Sequence, residues 1–349
     1  MNGFELSKVM GVVQRFRGAN NEGVLAIILL ALIVGMSIAN PAFFTLTTFF
    51  AIVRSSIVSL IFALGVLIVI ISGGIDVSFA TIAIFAAYST VRLSQSADFD
   101  PGLIGMLAIA LAIGGLLGLV NGAVIARFRL PTLIVTLGTQ GIFKGILLTY
   151  IGSQYIADLP ASLAAVSTMN VFQITTDTGR ASLHIMVIPA VLLCLLVAWV
   201  LRNTMFGRGI YAIGGDPEAA RRAGFRVMRT QMWIYVIVGM MAAAAGIIYM
   251  IMGRSANPRD LVGGELDIIA AVVLGGASIF GGRGSVLGTT LGVLLVQVIN
   301  NSLILAGVPS AWQRTAVGLL LIVGVGVQAL AAKRSSREIR ALVKEEVPA

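Results

Sequence analysis

About ten apolar runs, each close to the ~20 residues that cross a bilayer as a helix, leave this chain little choice of fold. Backbone in hydrocarbon must pair its own N–H and C=O groups, and a series of such runs does so as a bundle of membrane helices. The predicted spans are 24–39, 55–72, 76–93, 103–126, 131–151, 185–201, 231–252, 265–281, 285–306 and 312–331. The fold class read from them is all-α and polytopic. The third and eighth runs are interrupted by glycine and polar residues and read as half-helices or re-entrant pieces. Only 11% of the residues are charged, against roughly 25% in a soluble domain, which puts most of the chain in lipid.

The net charge of +9 has to be placed somewhere. No basic groove with interleaved aromatics is present, so nucleic acid is not an expected partner. Excess Lys and Arg in a membrane protein mark cytoplasmic loops. With the N-terminus inside, most of the 24 basic residues fall in inside segments, including Arg127 and Arg129, the run Arg202 to Arg229, and the tail from Lys333. Both termini are therefore expected in the cytoplasm. The expected division is a cytoplasmic segment 1–22, a transmembrane domain 23–332 with a basic loop 202–230, and a cytoplasmic tail 333–349. Val9, Met10, Val12, Val13 and Phe16 give the first segment an amphipathic pattern that suits a membrane surface. No small-residue cleavage signal follows it, so no removable signal peptide is expected. The single cysteine, Cys194, allows no disulfide within the chain. The lone His184 stands at the mouth of an apolar run, where a surface or interfacial role is expected rather than ligation. The longest outside loop, 152–184, reads as exposed chain with a short helix at Pro160–Val166.

The basic loop contains a polar island, Gly214-Gly215-Asp216-Pro217-Glu218-Ala219-Ala220-Arg221-Arg222-Ala223-Gly224. It reads as a short helix with both ends marked. Asp216 suits the N-cap, Pro217 the first helical position, and Glu218 the positive end of the dipole. Arg221 and Arg222 fall in the last turn, and Gly224 suits a left-handed stop. A solvated loop that only fixes topology does not need two helix-end signals. A rigid peg that a soluble partner grips does.

A weak internal repeat is visible. Gly73-Gly74-Ile75-Asp76 opens one interrupted helix and Gly263-Gly264-Glu265-Leu266-Asp267 another, and Asn121-Gly122 parallels Asn300-Asn301. Broken helices at matching places in two halves point to a mid-membrane solute site. Asp76 either caps a half-helix or bonds a hydroxylated solute. Gly275-Gly276-Ala277-Ser278 and Gly281-Gly282-Arg283-Gly284 lack the Lys-Ser/Thr of a phosphate loop and read as a tight turn between closely packed helices. No metalloprotease, esterase or carboxylate–histidine pattern occurs, so catalysis is not expected in this chain.

Several stretches resemble one family. Ser72-Gly73-Gly74-Ile75-Asp76-Val77-Ser78 is similar to its Ser-Gly-Gly-Ile-Asp-Leu-Ser, and Leu130 to Thr139 to its Pro-Pro-Phe-Ile-Val-Thr-Leu-Gly-Thr. Glu265 to Leu287, Asn300-Asn301 and the polar island also match, in order, over nearly the whole chain. The family is that of bacterial ABC importer permeases, in the branch for ribose, other simple sugars and autoinducer-2. The resemblance implies a sugar-transporting subunit of the bacterial inner membrane. It implies three partners: a cytoplasmic ATPase that binds the ATP and magnesium, a periplasmic or lipid-anchored solute-binding protein, and a second permease, copy or paralogue. It makes Asp216, Pro217, Glu218, Ala219, Ala220, Arg221, Arg222 and Gly224 the coupling helix. Residues on the interrupted helices and their neighbours that suit a sugar path are Asp76, Ser78, Phe79, Asn121, Thr139, Lys144 and Asn301. Two positions depart from the family pattern. Phe79-Ala80-Thr81 stand where it has Val-Gly-Ser, and Lys144 where arginine is common. The competing classes are a stand-alone secondary transporter or channel, which would leave the capped basic helix without a purpose, and a membrane-embedded enzyme, which would need catalytic groups.

Overall fold

The computed structural model describes residues 22–176 and 179–309, with Trp312, Thr315, Gly318, Leu319 and Ile322 as single positions. The amphipathic N-terminal pattern, most of the predicted span 312–331 and the basic tail lie outside the described residues.

The chain is a helical bundle. Helix α1 (Glu22–Ala39) is followed by a 3-10 turn at Pro41–Phe43 and by α2 (Leu46–Ile71). Then come α3 (Phe79–Ser96), α4 (Gly102–Phe128) and α5 (Thr132–Ile146), the last extended by a π-helical turn over Leu147–Ile151. The loop after α5, expected on the outside, holds α6 (Ala161–Ser167) and a hairpin of β1 (Asn170–Thr176) and β2 (Gly179–His184). The second half contains α7 (Val187–Asn203), α8 (Met205–Gly215), α9 (Pro217–Arg222), α10 (Val227–Gly253), α11 (Glu265–Leu274) and α12 (Val286–Leu305).

Among the described residues, six helices are long and apolar enough to cross a membrane: α1, α2, α4, α5 with its extension, α10 and α12. The pair α7 and α8 adds a seventh if it is one span, although it bends by 73°. Among the described residues the remaining predicted spans are the two interrupted ones. Helix α3 carries Tyr88, Ser89, Thr90 and Arg92, and it is buried along most of its length, mainly against α4, α5 and α10. It lies inside protein. Helix α11 has only ten residues, about 15 Å of rise.

Helices α4 and α10 form the tightest pair. A Cβ on Gly114 would run into the Gly239 carbonyl, and one on Gly118 into the Tyr235 carbonyl. Small residues spaced four apart let the two backbones touch, which replaces the hydrophobic drive that lipid does not supply.

Several expectations are corrected here. Helix α2 begins at Leu46, capped by the Thr45 side chain on Thr48 N, and not near residue 55. Arg54 sits within it, its stem along the helix and its Nη2 donating to the Met252 carbonyl at 3.1 Å, so the charge does not end the helix. The basic stretch 202–230 is mostly helical. Thr204 accepts from Gly207 N and starts α8 within one residue of the end of α7. The loop after α5 contains the short helix, one residue later than expected, and also the unexpected hairpin. His184 is not at a surface. It is buried, with Nε2 against the Ser167 carbonyl and Nδ1 accepting from Met186 N. It pins the hairpin to the bundle.

The repeat is also drawn differently. Gly263 and Gly264 precede a helix, whereas Gly73 and Gly74 end one. The helix end that matches Ser72-Gly73-Gly74 in hydrogen bonding is Gly275-Gly276-Ala277. The glycine-rich turn after α11 is thus the counterpart of the turn after α2.

Candidate functional site

Two features stand out. The first is a cavity of about 660 Å³ between α2, α3, α10, α11 and α12. One side of α2 brings Arg54, Ser55 and Ser59 to it; α10 brings Tyr249, α11 brings Asp267, and α12 brings Gln297 and Asn300. Gln297 Nε2 donates to Ser59 Oγ at 3.0 Å, joining α12 to α2 across the cavity. Tyr249 donates its hydroxyl to Asp260 at 3.2 Å. The Asn300 carbonyl oxygen is buried and has no hydrogen-bond partner among the described residues. This acceptor is the side-chain Oδ1, and such a group is costly to leave unpaired. The apolar part of the lining includes Phe62 and Phe79, whose rings stand 5.1 Å apart and tilted by 51°.

Of the seven residues marked in the sequence for a solute path, the structure brings three together and puts a fourth on the cavity. Asp76 Oδ1 accepts from the Ser78 backbone N–H and hydroxyl, both at 2.7 Å, and Asn121 Nδ2 donates to Ser78 Oγ at 2.8 Å. All three are buried, Asp76 and Ser78 in the gap between α2 and α3 and Asn121 on α4, and none of them lines the cavity. Phe79 does line it. Thr139 is buried and its hydroxyl donates to the Thr136 carbonyl. Lys144 lies half-buried in the last turn of α5, and Asn301 donates to the Gln297 carbonyl. The neighbouring Asn300, not Asn301, reaches the cavity. Arg54, Ser55, Ser59 and Gln297 were missed by sequence reasoning. Their signal was there: polar residues at 54, 55 and 59, and at 297 and 300, recur at helical spacing in otherwise apolar runs.

Glu265 takes Gln140 Nε2 on one oxygen at 2.9 Å and Gly263 N on the other at 2.8 Å.

The second feature is α9. Asp216 is its N-cap and accepts from Glu218 N at 2.8 Å and Ala219 N at 3.1 Å. The Ala219 and Glu218 N–H groups hold its carboxyl below the usual carboxylate range. Pro217 takes the first helical position, and Gly224 stops the turn with φ +90°. Arg221 pairs with Glu218 at 3.1 Å on the exposed face. Only Ala220 points inward, against Ile213 and Val227. Pro217, Glu218, Ala219, Arg221 and Arg222 are exposed. Beside the helix runs a groove of about 530 Å³ lined by Arg129, Arg221, Arg226 and Arg229 with Phe225, Val227 and Met228. The result is a short, self-capped helix beside four arginine side chains.

Residues 48–325 match the family model described as "Branched-chain amino acid transport system / permease component". The chain is 34% identical over 308 residues to the autoinducer 2 import system permease protein LsrC of Yersinia pseudotuberculosis serotype O:3 (strain YPIII), covering 88% of this chain and 84% of that one. The same identity and coverage hold for the protein of that name from Yersinia pestis (strain Pestoides F). No solved structure matches the chain. The chain belongs to this permease family: it is a multi-pass inner-membrane permease subunit of an ABC importer, with ATP hydrolysis carried by a separate subunit.

Proposed function

We propose that the chain translocates a sugar or sugar-like solute through the cavity between α2 and α12. The observation that carries this reading is the lining itself. The apolar side of the lining, to which the nearly buried Phe62 and Phe79 contribute, suits the C–H side of a sugar ring, and the open Asn300 Oδ1, Gln297 and Ser59 offer hydrogen bonds to its hydroxyls. The relatives named above import autoinducer 2, which supports a small hydroxylated solute rather than a branched-chain amino acid.

In this reading a periplasmic or lipid-anchored binding protein delivers the solute. The ATPase grips α9 through the contact face of Glu218, Arg221 and Arg222, with the arginine groove against its acidic surface. A second permease, copy or paralogue, completes the path. Ten spans, cytoplasmic termini and the division 1–22, 23–332 and 333–349 belong to the same proposal. The buried group Asp76–Ser78–Asn121 holds the start of α3, and so holds Phe79 at the cavity wall.

Two substitutions test the path: Phe79→Val, and Asn300→Ala. Uptake is measured in the reconstituted importer over a panel of pentoses, hexoses and polyols at matched protein abundance. Loss of one hydrogen bond of about 1 kcal/mol predicts roughly a fivefold change in rate for Asn300→Ala. Phe79→Val is expected to shift the order of preference. An unchanged panel for both variants overturns the path.

A further inference from the structure

The end of α8 lies between the two helix breaks. Gly282, in the break after α11, donates its N–H to the carbonyl of Ile71, the last residue of α2, at 2.8 Å. Gly214 is pressed into this junction. A Cβ there would collide with the Ile71 carbonyl and lie 2.6 Å from Gly282 N. A Cβ on Gly281 would lie 2.9 Å from the Cα of Gly73. Three backbones therefore meet with no side chain between them. A fourth contact fixes the angle: Tyr211, one turn back on α8, donates its hydroxyl to the Gly284 carbonyl at 2.9 Å.

On the far side, α8 is joined to α9 by Asp216 alone, which is both the end cap of one and the N-cap of the other. A displacement of α9 has no slack in which to dissipate, because the next contact is backbone against close-packed backbone. Each break leads into a helix that lines the cavity. The first leads to Phe79 on α3, and the second to Gln297 and Asn300 on α12.

We propose that Tyr211 and Gly214 are positioning residues for coupled transport: they form the joint through which movement of α9 reaches both helix breaks, and from them both walls of the cavity. This rests on α9 being the ATPase contact and adds the route beyond it. The joint acts without touching solute or nucleotide.

The test uses the full chain assembled with its ATPase and binding protein in nanodiscs. Cys194→Ser removes the native thiol, and Ser55→Cys reports from the cavity lining by its rate of labelling with an impermeant methanethiosulfonate. Rates are compared without nucleotide and after trapping with ATP and vanadate. The parent is expected to change by at least about fivefold, the lower end of typical coupling between sites. In Tyr211→Phe and in Gly214→Ala that change is expected to be lost while ATP hydrolysis continues and the complex stays assembled. Gly215→Ala, whose added Cβ meets nothing within 4 Å, is expected to keep the full response. If Gly214→Ala does not reach the membrane, Tyr211→Phe decides, since it removes a single hydroxyl. A full response in the joint variants, or a parent indifferent to nucleotide, overturns the joint. Glu218→Arg separates the underlying reading. If that variant retains its ATPase and a normal response, the docking role of α9 falls and the joint with it; if only the joint variants behave normally, the docking role stands alone.

Discussion

After Ile71 and after Leu274 the chain leaves a helix through the same pair of hydrogen bonds. Gly73 N bonds to the Ile70 carbonyl and Gly74 N to Val69; Gly276 N bonds to Val273 and Ala277 N to Val272. Gly73 has φ +84° and Gly276 φ +91°, so both ends are Schellman caps with glycine in the left-handed position. Beyond the caps the two breaks part company. In the first, residues 72–78, the unwound N–H groups are met by side chains. Thr132 Oγ1 accepts from Ile75 N at 2.9 Å, Thr136 Oγ1 from Val77 N at 3.4 Å, and Asp76 from Ser78 N. In the second, residues 275–285, the backbone meets itself: Ser278 N bonds to the Arg283 carbonyl, Gly281 N to Ser278, and Gly282 N reaches Ile71. One break depends on donors and acceptors lent by α5, and the other on glycines that let the chain fold back. The same local signal, a glycine after an apolar helix, is completed by different partners.

That contrast predicts which substitutions hurt. The largest effect belongs to Asp76→Ala. It leaves the buried Ser78 N–H and Ser78 hydroxyl without their acceptor, at about 1–3 kcal/mol for each orphaned group. A loss of about 3 kcal/mol in thermal unfolding of the purified protein is expected, with reduced abundance. A variant as stable as the parent would mean the first break does not lean on side chains.

Thr132→Val is next. It keeps the shape and removes the acceptor for Ile75 N, so a loss of about 1–2 kcal/mol is expected. The side chains with a comparable task at the second break stand at its far end: Ser285, whose Oγ accepts from Gly288 N at 3.0 Å, and Tyr211 of α8, which donates to the Gly284 carbonyl at 2.9 Å. Gly73→Ala and Gly276→Ala then test the part the two breaks share. Each places a Cβ at positive φ, which costs roughly 1–2 kcal/mol, and the two losses are expected to agree within about 0.5 kcal/mol. Unequal losses would break the equivalence of the caps.

What the sequence made legible follows the range of the forces involved. Helix α9 is nearly all local: Asp216, Pro217 and Gly224 bracket one short stretch of chain, and each does what its type suggests. The long spans α4 and α10 are announced by composition alone. The start of α3 was not legible, because Ile75 and Val77 are kept out of the helix by threonines some sixty residues away. Nor was the matching of the breaks. Gly263-Gly264 and Gly275-Gly276 look alike as letters, and only the hydrogen bonds say which pair ends a helix. The cavity was half legible. Phe79 was marked because it departs from a family pattern, but Asn300 was passed over for Asn301, since a helix boundary uncertain by one residue turns a side chain by 100°. His184 read as an interfacial residue because the hairpin that buries it has no strong strand signal.

The smallest effect is expected at Arg283, and it is the sharpest check on the second break. Its side chain is exposed, while its carbonyl accepts from Ser278 N at 3.0 Å and its neighbours Gly282 and Gly284 carry the unusual backbone angles. Truncation to alanine keeps the carbonyl, the turn and the contact of Gly282 with Ile71. Arg283→Ala should therefore change unfolding stability by no more than about 0.5 kcal/mol, as at an ordinary surface position. The companion Ser278→Ala, which keeps the N–H that makes the turn, should behave alike. A loss above about 1 kcal/mol for either, in the same assay where Asp76→Ala loses about 3, would show side chains holding the second break as they hold the first, since such losses need a named contact to be removed. Stability near that of the parent, set beside the losses at Asp76 and Thr132, leaves the second break as a turn held by backbone, free to shift as one piece when α8 moves against it.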